Sequence, residues 1–308
     1  MELTFRSSVN QWECDENAHL NVRFYVAKHV QTLLNGLLAE GRVASAETLN
    51  HQISVQHLRF LKESRLATPL SGYFALIATD GRHVTALTEL RHSANQDVLC
   101  TCIHQMVLDS AQNSAVTGAV SSDFRAALPD YGSPRGVADE DTIYAGLARE
   151  QVDEFGFRLI GRGVISADEV TAGGVLKTAG HMGRISDSMP HLWRLLGSGE
   201  QGENENESEN GNGNSNGNEG GAVLEYRLAY HQKLRLDHRF SIYSGLSEAS
   251  AKVQKFVHLV FDDSTGKLSC SAVAAAVRMD LKTRKALKLD RERIETMREH
   301  QLKHLNLP

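Results

Sequence analysis

The stretch that decides the fold runs from Trp12 to Leu38: WECDENAHLN at 12–21, then VRFYVAKHVQTLLNGLL at 22–38. In the second piece Val22, Val26, Val30, Leu33 and Leu37 recur at steps of three and four, which is one apolar face of a helix. Leu34 and Leu38 widen that stripe, so the helix is expected to be well buried. The first piece is a tight polar turn, with a short strand expected before it at about 3–12. Four strands are expected after the helix, at 52–61, 70–79, 83–92 and 97–108. Val84, Ala86, Thr88 and Leu90 alternate with polar neighbours, the period of a strand. The Asp80-Gly81 pair within 78–82 reads as a hairpin turn.

The order then repeats. A strand near 155–167, a helix starting around 180 and strands near 223–232, 239–248, 251–261 and 267–279 follow one another. LRFLKE at 58–63 maps onto LAYHQK at 228–233, with Thr68 set against Asp237 and Glu63 against Gln232. A strand, a central helix and four antiparallel strands, twice over, is an α+β architecture in which each sheet wraps its own helix. The turn-rich SSDFRAALPDYGSPRG marks the division. The expected organisation is a first domain over 1–130, a linker with a short helix over 131–150 and a second domain over 151–290. A charged surface helix is expected over 291–308.

Length and composition bound the rest. A chain of 308 residues, 41% hydrophobic and 23% charged, can bury two cores. The net charge is −5, and the low-complexity run 197–221 holds six acids and no base, so the negative balance belongs to that run. With no apolar side chain to offset its ordering entropy, the run is expected to be a disordered insertion. No basic face points to nucleic acid. No signal-peptide stretch or long apolar run points to secretion or a membrane, so a cytoplasmic location is expected. Cys100 and Cys102 share a strand face with only His104 as a further nearby ligand, which reads as a reduced thiol pair rather than a metal site. No cofactor is called for.

Chemistry concentrates in the turn before the first helix. Asp15, Asn17 and His19 stand at i, i+2 and i+4 where a helix begins. Helix N-termini present unpaired N–H groups and partial positive charge, suited to a developing oxyanion. A neighbouring carboxylate can serve as nucleophile or general base. Asp and Asn are also preferred helix caps, so the residue types alone leave both uses open.

The segment resembles the hotdog-fold thioesterases. Asp15-x-Asn17-x-His19-x-Asn21 is similar to the D-x-N-x-H-x-N stretch of plant and bacterial acyl-ACP thioesterases. Those enzymes carry a further Glu before a small residue on the second strand, matched by Lys62-Glu63-Ser64, and Tyr25 fits their helix pattern. The resemblance implies two tandem hotdog domains and cleavage of an acyl-CoA or acyl-ACP to acid and thiol. It makes Asp15, Asn17, His19 and Glu63 the candidate catalytic residues, with backbone N–H groups near Ala18–Leu20 polarising the carbonyl. Asn21, Tyr25 and His181 are the candidates for substrate binding. Which carboxylate acts, CoA against carrier protein, and monomer against homodimer stay open.

The second half departs from the motif. If Gly180-His181-Met182 is taken as the counterpart of the first motif, Lys177 and Ala179 fall where Asp and Asn are needed. One working site is therefore expected, with Asp168, Glu169 or Asp187 as the acids of a lesser alternative. Two rivals to the hydrolase are a hotdog enoyl-CoA hydratase and a non-catalytic acyl-CoA-binding protein. The hydratase motif D-x-N-P-x-H sets His five beyond Asp, whereas His19 is four beyond Asp15.

Overall fold

Apolar alternation and the three-to-four repeat resolve into one sheet backed by two long helices. The computed structural model describes residues 1–15, 18–79, 82–108, 128–137, 141–196, 219–280 and 282–303. Strand β1 (Glu2–Ser8) leads into helices α1 (Val22–Ala39) and α2 (Ala46–Gln52). Strands β2 (Ile53–Phe60), β3 (Pro69–Thr79), β4 (His83–His92) and β5 (Val98–Val107) follow. After α3 (Asp141–Ala145) come β6 (Arg158–Val164), α4 (Thr178–Leu195) and β7 (Glu219–Tyr230). The chain ends with β8 (Arg239–Ala249), β9 (Gln254–Asp262), β10 (Lys267–Asp280), β11 (Lys285–Ala286) and α5 (Arg291–Glu299). No helix among the described residues is long and apolar enough to cross a membrane.

The sheet runs β1-β3-β4-β5-β2-β7-β10-β9-β8-β6, with β11 on β10, and its pairs are antiparallel. The last five strands of that path repeat the order of the first five in reverse, and β2 joins β7 at the centre with His57 opposite Arg227. Helices α1 and α4 touch each other on one face of the sheet. Val26, Leu33 and Leu37 are fully buried, each contributing about 1.5–3 kcal/mol of apolar burial. Gly36 lets the sheet approach, since a Cβ there would sit 2.4 Å from the Phe74 ring. The helix is less uniformly apolar inside than its sequence suggests: Lys28, His29 and Thr32 are buried, whereas Leu38 is exposed.

Polar chemistry threads the seam between the halves. The Tyr230 hydroxyl donates to Gln56 Oε1 at 2.8 Å, and Gln56 Nε2 donates to His104 Nδ1 at 3.2 Å. His104 Nε2 meets Thr88 Oγ1 at 2.9 Å, and Thr88 Oγ1 meets His29 Nδ1 at 2.7 Å. Cys102 Sγ lies 3.9 Å from His104 Nδ1. Among the described residues, no three His, Cys, Asp or Glu side chains are grouped to hold a metal.

The two halves share local hydrogen bonds as well as element order. Glu13 takes an ion pair from Lys28, and Glu169 takes one from Arg184. Leu20 N donates to Ser64 O as Leu176 N donates to Leu234 O, and Ala67 and Asp237 both hold φ at 64°. This register sets Ala67, not Thr68, against Asp237, and so Lys233, not Gln232, against Glu63.

Several boundaries differ from expectation for identifiable reasons. The first strand ends at Ser8 because Asn10 N donates to Glu13 Oε2 at 2.9 Å and winds Gln11–Glu13 into a 3-10 turn. Helix α2, unread in the sequence, starts where Ser45 Oγ accepts from Thr48 N. Within the low-complexity run, Glu219–Gly221 open β7 through pairing with Arg278, Met279 and Asp280, so backbone pairing extends the strand into a side-chain-poor stretch. The rest of that run and the Asp80-Gly81 turn lie outside the described residues. The connecting helix is shorter than read, and α5 stops at Glu299, after which Leu302 N donates to Leu246 O.

Candidate active site

The loop before α1 is shaped by its own polar groups. Asp15 N donates to His19 O at 2.8 Å, Ala18 N to Asp15 O at 3.0 Å, and His19 N to Asp15 Oδ1 at 3.0 Å. Ala18 takes φ 58° at the bend, a left-handed conformation that costs a residue with a Cβ about 1–2 kcal/mol and that the surrounding hydrogen bonds hold in place. Leu20 N then donates to Ser64 O at 2.8 Å, fixing the loop to the chain leaving β2. That junction brings His19 alongside Arg65 and carries its ring to Glu63, with Nε2 3.3 Å from Oε2.

A third group arrives from the far end of the chain. Arg284, in the turn after β10, sets Nη2 2.6 Å from His19 Nε2 and Nη1 3.4 Å from Glu63 Oε1. Asp280 holds this turn by accepting from Lys282 N at 3.0 Å and Thr283 N at 2.6 Å. A guanidinium only donates, so His19 Nε2 accepts and the imidazole proton rests on Nδ1. Burial lowers the His19 pKa from its ordinary value; Glu63 and Asp15 oppose that shift, while Arg284 and Arg65 reinforce it. The site thus combines two carboxylates, a neutral imidazole and a cationic donor.

The other sequence candidates sit as follows. Asn17 lies outside the described residues. Tyr25 adjoins the site through Ser64, donating to Ser64 Oγ at 3.0 Å and accepting from Ser64 N at 3.1 Å, and burial raises its pKa. Asn21 caps α1, its Oδ1 accepting from Arg23 N at 2.9 Å, while its Nδ2 reaches Ser186 Oγ at 3.3 Å. His181 is not brought to His19. It is buried against Ser269 Oγ at 3.2 Å and packs edge-on to Tyr230.

Two expectations need correction. The backbone N–H groups of Ala18, His19 and Leu20 are already committed to Asp15 O, Asp15 Oδ1 and Ser64 O, so they do not point at a substrate carbonyl. Arg284 is the site's cationic donor; in the sequence it stands with Lys282, Lys285 and Lys288 as a residue that could contact coenzyme A phosphates, and nothing in their spacing singles it out for this place beside His19. The counterpart of Asp15-to-His19 in the second half is Thr171-to-Val175, with Thr171 N donating to Val175 O, rather than the residues before His181. His181 instead stands where Tyr25 does, four beyond the helix cap.

The second half therefore lacks the site's groups. Glu169 is buried and committed to Arg184 and Ser166, and Asp168 and Asp187 are exposed. Lys233 stands in the place of Glu63, donating to Asn50 O at 2.8 Å, with burial lowering its pKa to about 8. Helix α2 covers this loop: Glu47 Oε2 accepts from Gly173 N at 3.0 Å, and Asn50 bridges Leu176 O and Thr178 N.

Comparison with known proteins bears on the fold throughout and on sequence in the second half. Residues 165–303 match the model of the thioesterase-like superfamily. No curated protein matches the chain in sequence. Among solved structures, an acyl-ACP thioesterase from Bacteroides thetaiotaomicron aligns over 88% of this chain and 96% of its own, at 10% identity and TM-score 0.58. The 12:0-ACP thioesterase from Umbellularia californica aligns over 88% and 93%, at 10% identity and TM-score 0.58. A protein with a hot dog fold from Alicyclobacillus acidocaldarius aligns over 94% and 96%, at 12% identity and TM-score 0.51. The chain thus has the hotdog fold of these thioesterases, and its residues 165–303 carry the sequence pattern of the thioesterase-like superfamily.

Proposed function

We propose that the chain is two tandem hotdog domains, 1–130 and 151–290 joined by 131–150, and that the first hydrolyses an acyl thioester to acid and thiol. The observation that carries this reading is the meeting of Asp15, His19, Glu63 and Arg284 at the mouth of α1. Asp15 is the carboxylate at the helix start and serves as general base. It takes a proton from water as the water oxygen attacks the thioester carbon. The electron pair displaced onto the carbonyl oxygen makes an oxyanion, and its collapse expels the thiolate, which takes up the proton to leave as thiol.

With the backbone N–H groups of Ala18, His19 and Leu20 engaged, oxyanion stabilisation falls to Arg284, a preorganised donor beside His19. Neutral His19 holds Arg284 through Nε2, and Glu63 holds its other nitrogen, so the two fix the guanidinium's direction. Asn17, beside Asp15 in sequence, orients the water or the base. Tyr25 sets the floor of the site through Ser64, and the second domain completes the sheet and lines the substrate channel. The substrate is an acyl-CoA or acyl-ACP, and the carrier-protein enzymes among the structural neighbours favour the latter. Thiol release from acyl-CoA and acyl-ACP panels tests the assignment: hydrolysis of either supports it, and hydrolysis of neither by folded protein refutes it.

A further inference from the structure

Beside the β2–β7 seam lies a cavity of about 200 Å³ whose walls divide by chemistry. Val55, Ile103, Pro134 and Val137 give it an apolar side, and His57, Gln105 and Arg227 a polar one. Strand register places this lining. His57 on β2 stands opposite Ile103 on β5 and Arg227 on β7, and Val55 stands opposite Gln105. His57 and Gln105 are therefore diagonal neighbours on one face of the sheet, within reach of a shared small ligand.

The partner of His57 sets its tautomer. The Glu225 carboxylate meets His57 Nε2 at 2.6 Å and accepts from Arg135 N at 2.8 Å and Gly136 N at 2.6 Å. Burial opposes the Glu225 charge, yet these hydrogen bonds hold its pKa below the ordinary glutamate value. An ionised carboxylate only accepts, so His57 Nε2 carries the proton and the neutral ring leaves Nδ1 as an acceptor. Nδ1 is buried and has no hydrogen-bond partner among the described residues. A buried acceptor in that state costs free energy until a donor reaches it. The half-buried Gln105 carboxamide also makes no hydrogen bond among the described residues.

We propose that this cavity binds a short-chain primary alcohol. The hydroxyl donates to His57 Nδ1 and its oxygen accepts from Gln105 Nε2, so one group closes both open positions. The alkyl chain lies against Val55, Ile103, Pro134 and Val137. A carboxylate has no proton to give Nδ1, and an ammonium would sit against the Arg227 guanidinium. A single water closes His57, but at roughly 30 Å³ it leaves most of the apolar-walled volume unused. The inference stands apart from the thioesterase reading, because none of these residues touches His19 or Glu63 among the described contacts.

The test is nitrogen NMR of the full chain with labelled histidine rings, His57 being assigned from the His57→Gln variant. The free protein is expected to show the His57 proton on Nε2 alone. Butanol, butyl methyl ether and sodium butyrate are then titrated, the ether having the chain without the donor. The expected result is a saturable shift of the His57 Nδ1 signal with butanol, and none with the ether or butyrate. Gln105→Leu, a change at the rim, is expected to weaken butanol binding at least fivefold. Val137→Phe, which fills the cavity without removing a charge, is expected to abolish it. No saturable Nδ1 shift with butanol overturns the proposal and leaves the cavity to water. So does a free ring protonated on both nitrogens, an equal response to the ether or butyrate, or butanol binding unchanged in folded Gln105→Leu or Val137→Phe protein.

Discussion

Arg284 Nη2 lies 2.6 Å from His19 Nε2, although 265 residues separate the two in the chain. The contact gives the imidazole a defined tautomer and the site a cationic donor. Arg284→Ala is accordingly expected to lower kcat by about a hundredfold, the usual effect of removing one oxyanion donor. Lysine at the same position keeps the charge but loses the fork that spans His19 and Glu63, so it is expected to rescue only part of the rate. Steady-state kinetics on both variants checks this, and an unchanged kcat in Arg284→Ala removes the arginine from the mechanism.

The buried histidines set the acid limit of stability. His104, His181 and His258 are buried neutral, with pKa values lowered to about 3, and that of His29 lies well below the ordinary value, in each case because burial disfavours the charged ring. The unfolded chain binds protons at these sites from about pH 6.5 downward and the folded chain does not. Stability is therefore unaffected by them above that pH and falls as pH drops through the window from 6.5 to 3. Each group adds a slope of up to about 1.4 kcal/mol per pH unit. Urea midpoints measured from pH 7 to 4 are expected to fall steeply, and His258→Gln, which keeps a partner for Ser244, is expected to flatten the curve.

The Glu13–Lys28 pair is nearly buried and spans 2.8 Å between the loop and α1. Glu13→Gln leaves the ammonium without its carboxylate, and a loss of about 3 kcal/mol is expected, as for other broken buried pairs. Chemical denaturation reads this directly. Because Glu13 also shapes the turn that leads to Asp15, the variant is expected to lose activity faster than stability as temperature rises.

Asn21 Oδ1 caps α1 by accepting from Arg23 N at 2.9 Å. Asn21→Ala is expected to cost about 1 kcal/mol, whereas Asn21→Asp, which keeps the acceptor, is expected to cost less. Thermal melts of the two variants separate capping from any polar role of the amide.

Much of this fold is written in local pattern. The four strands after each helix were legible because alternation survives in Val84 to Leu90 and its neighbours, and α1 because its apolar residues recur on one face. What escaped is set by partners distant in sequence. Helix α2 carries a short, mostly polar sequence, held by the burial of Leu49 and by Glu47 and Asn50 gripping the loop of the other half. The meeting of Asp15, His19 and Glu63 could be anticipated only through a motif, since the bonds that build it, such as Leu20 N to Ser64 O, are backbone contacts without a residue signature. Arg284 was hidden among several basic neighbours, and its role depends on the Asp280 turn that aims it.

Thiol release from an acyl thioester, measured for the wild-type chain and for Asp15→Asn and Glu63→Gln, each checked for folding by circular dichroism, decides whether Asp15 is the base of a thioester hydrolase. Wild-type turnover is expected, with nearly all of it lost in Asp15→Asn and a substantial fall in Glu63→Gln. Full turnover in a folded Asp15→Asn variant would contradict that role for Asp15.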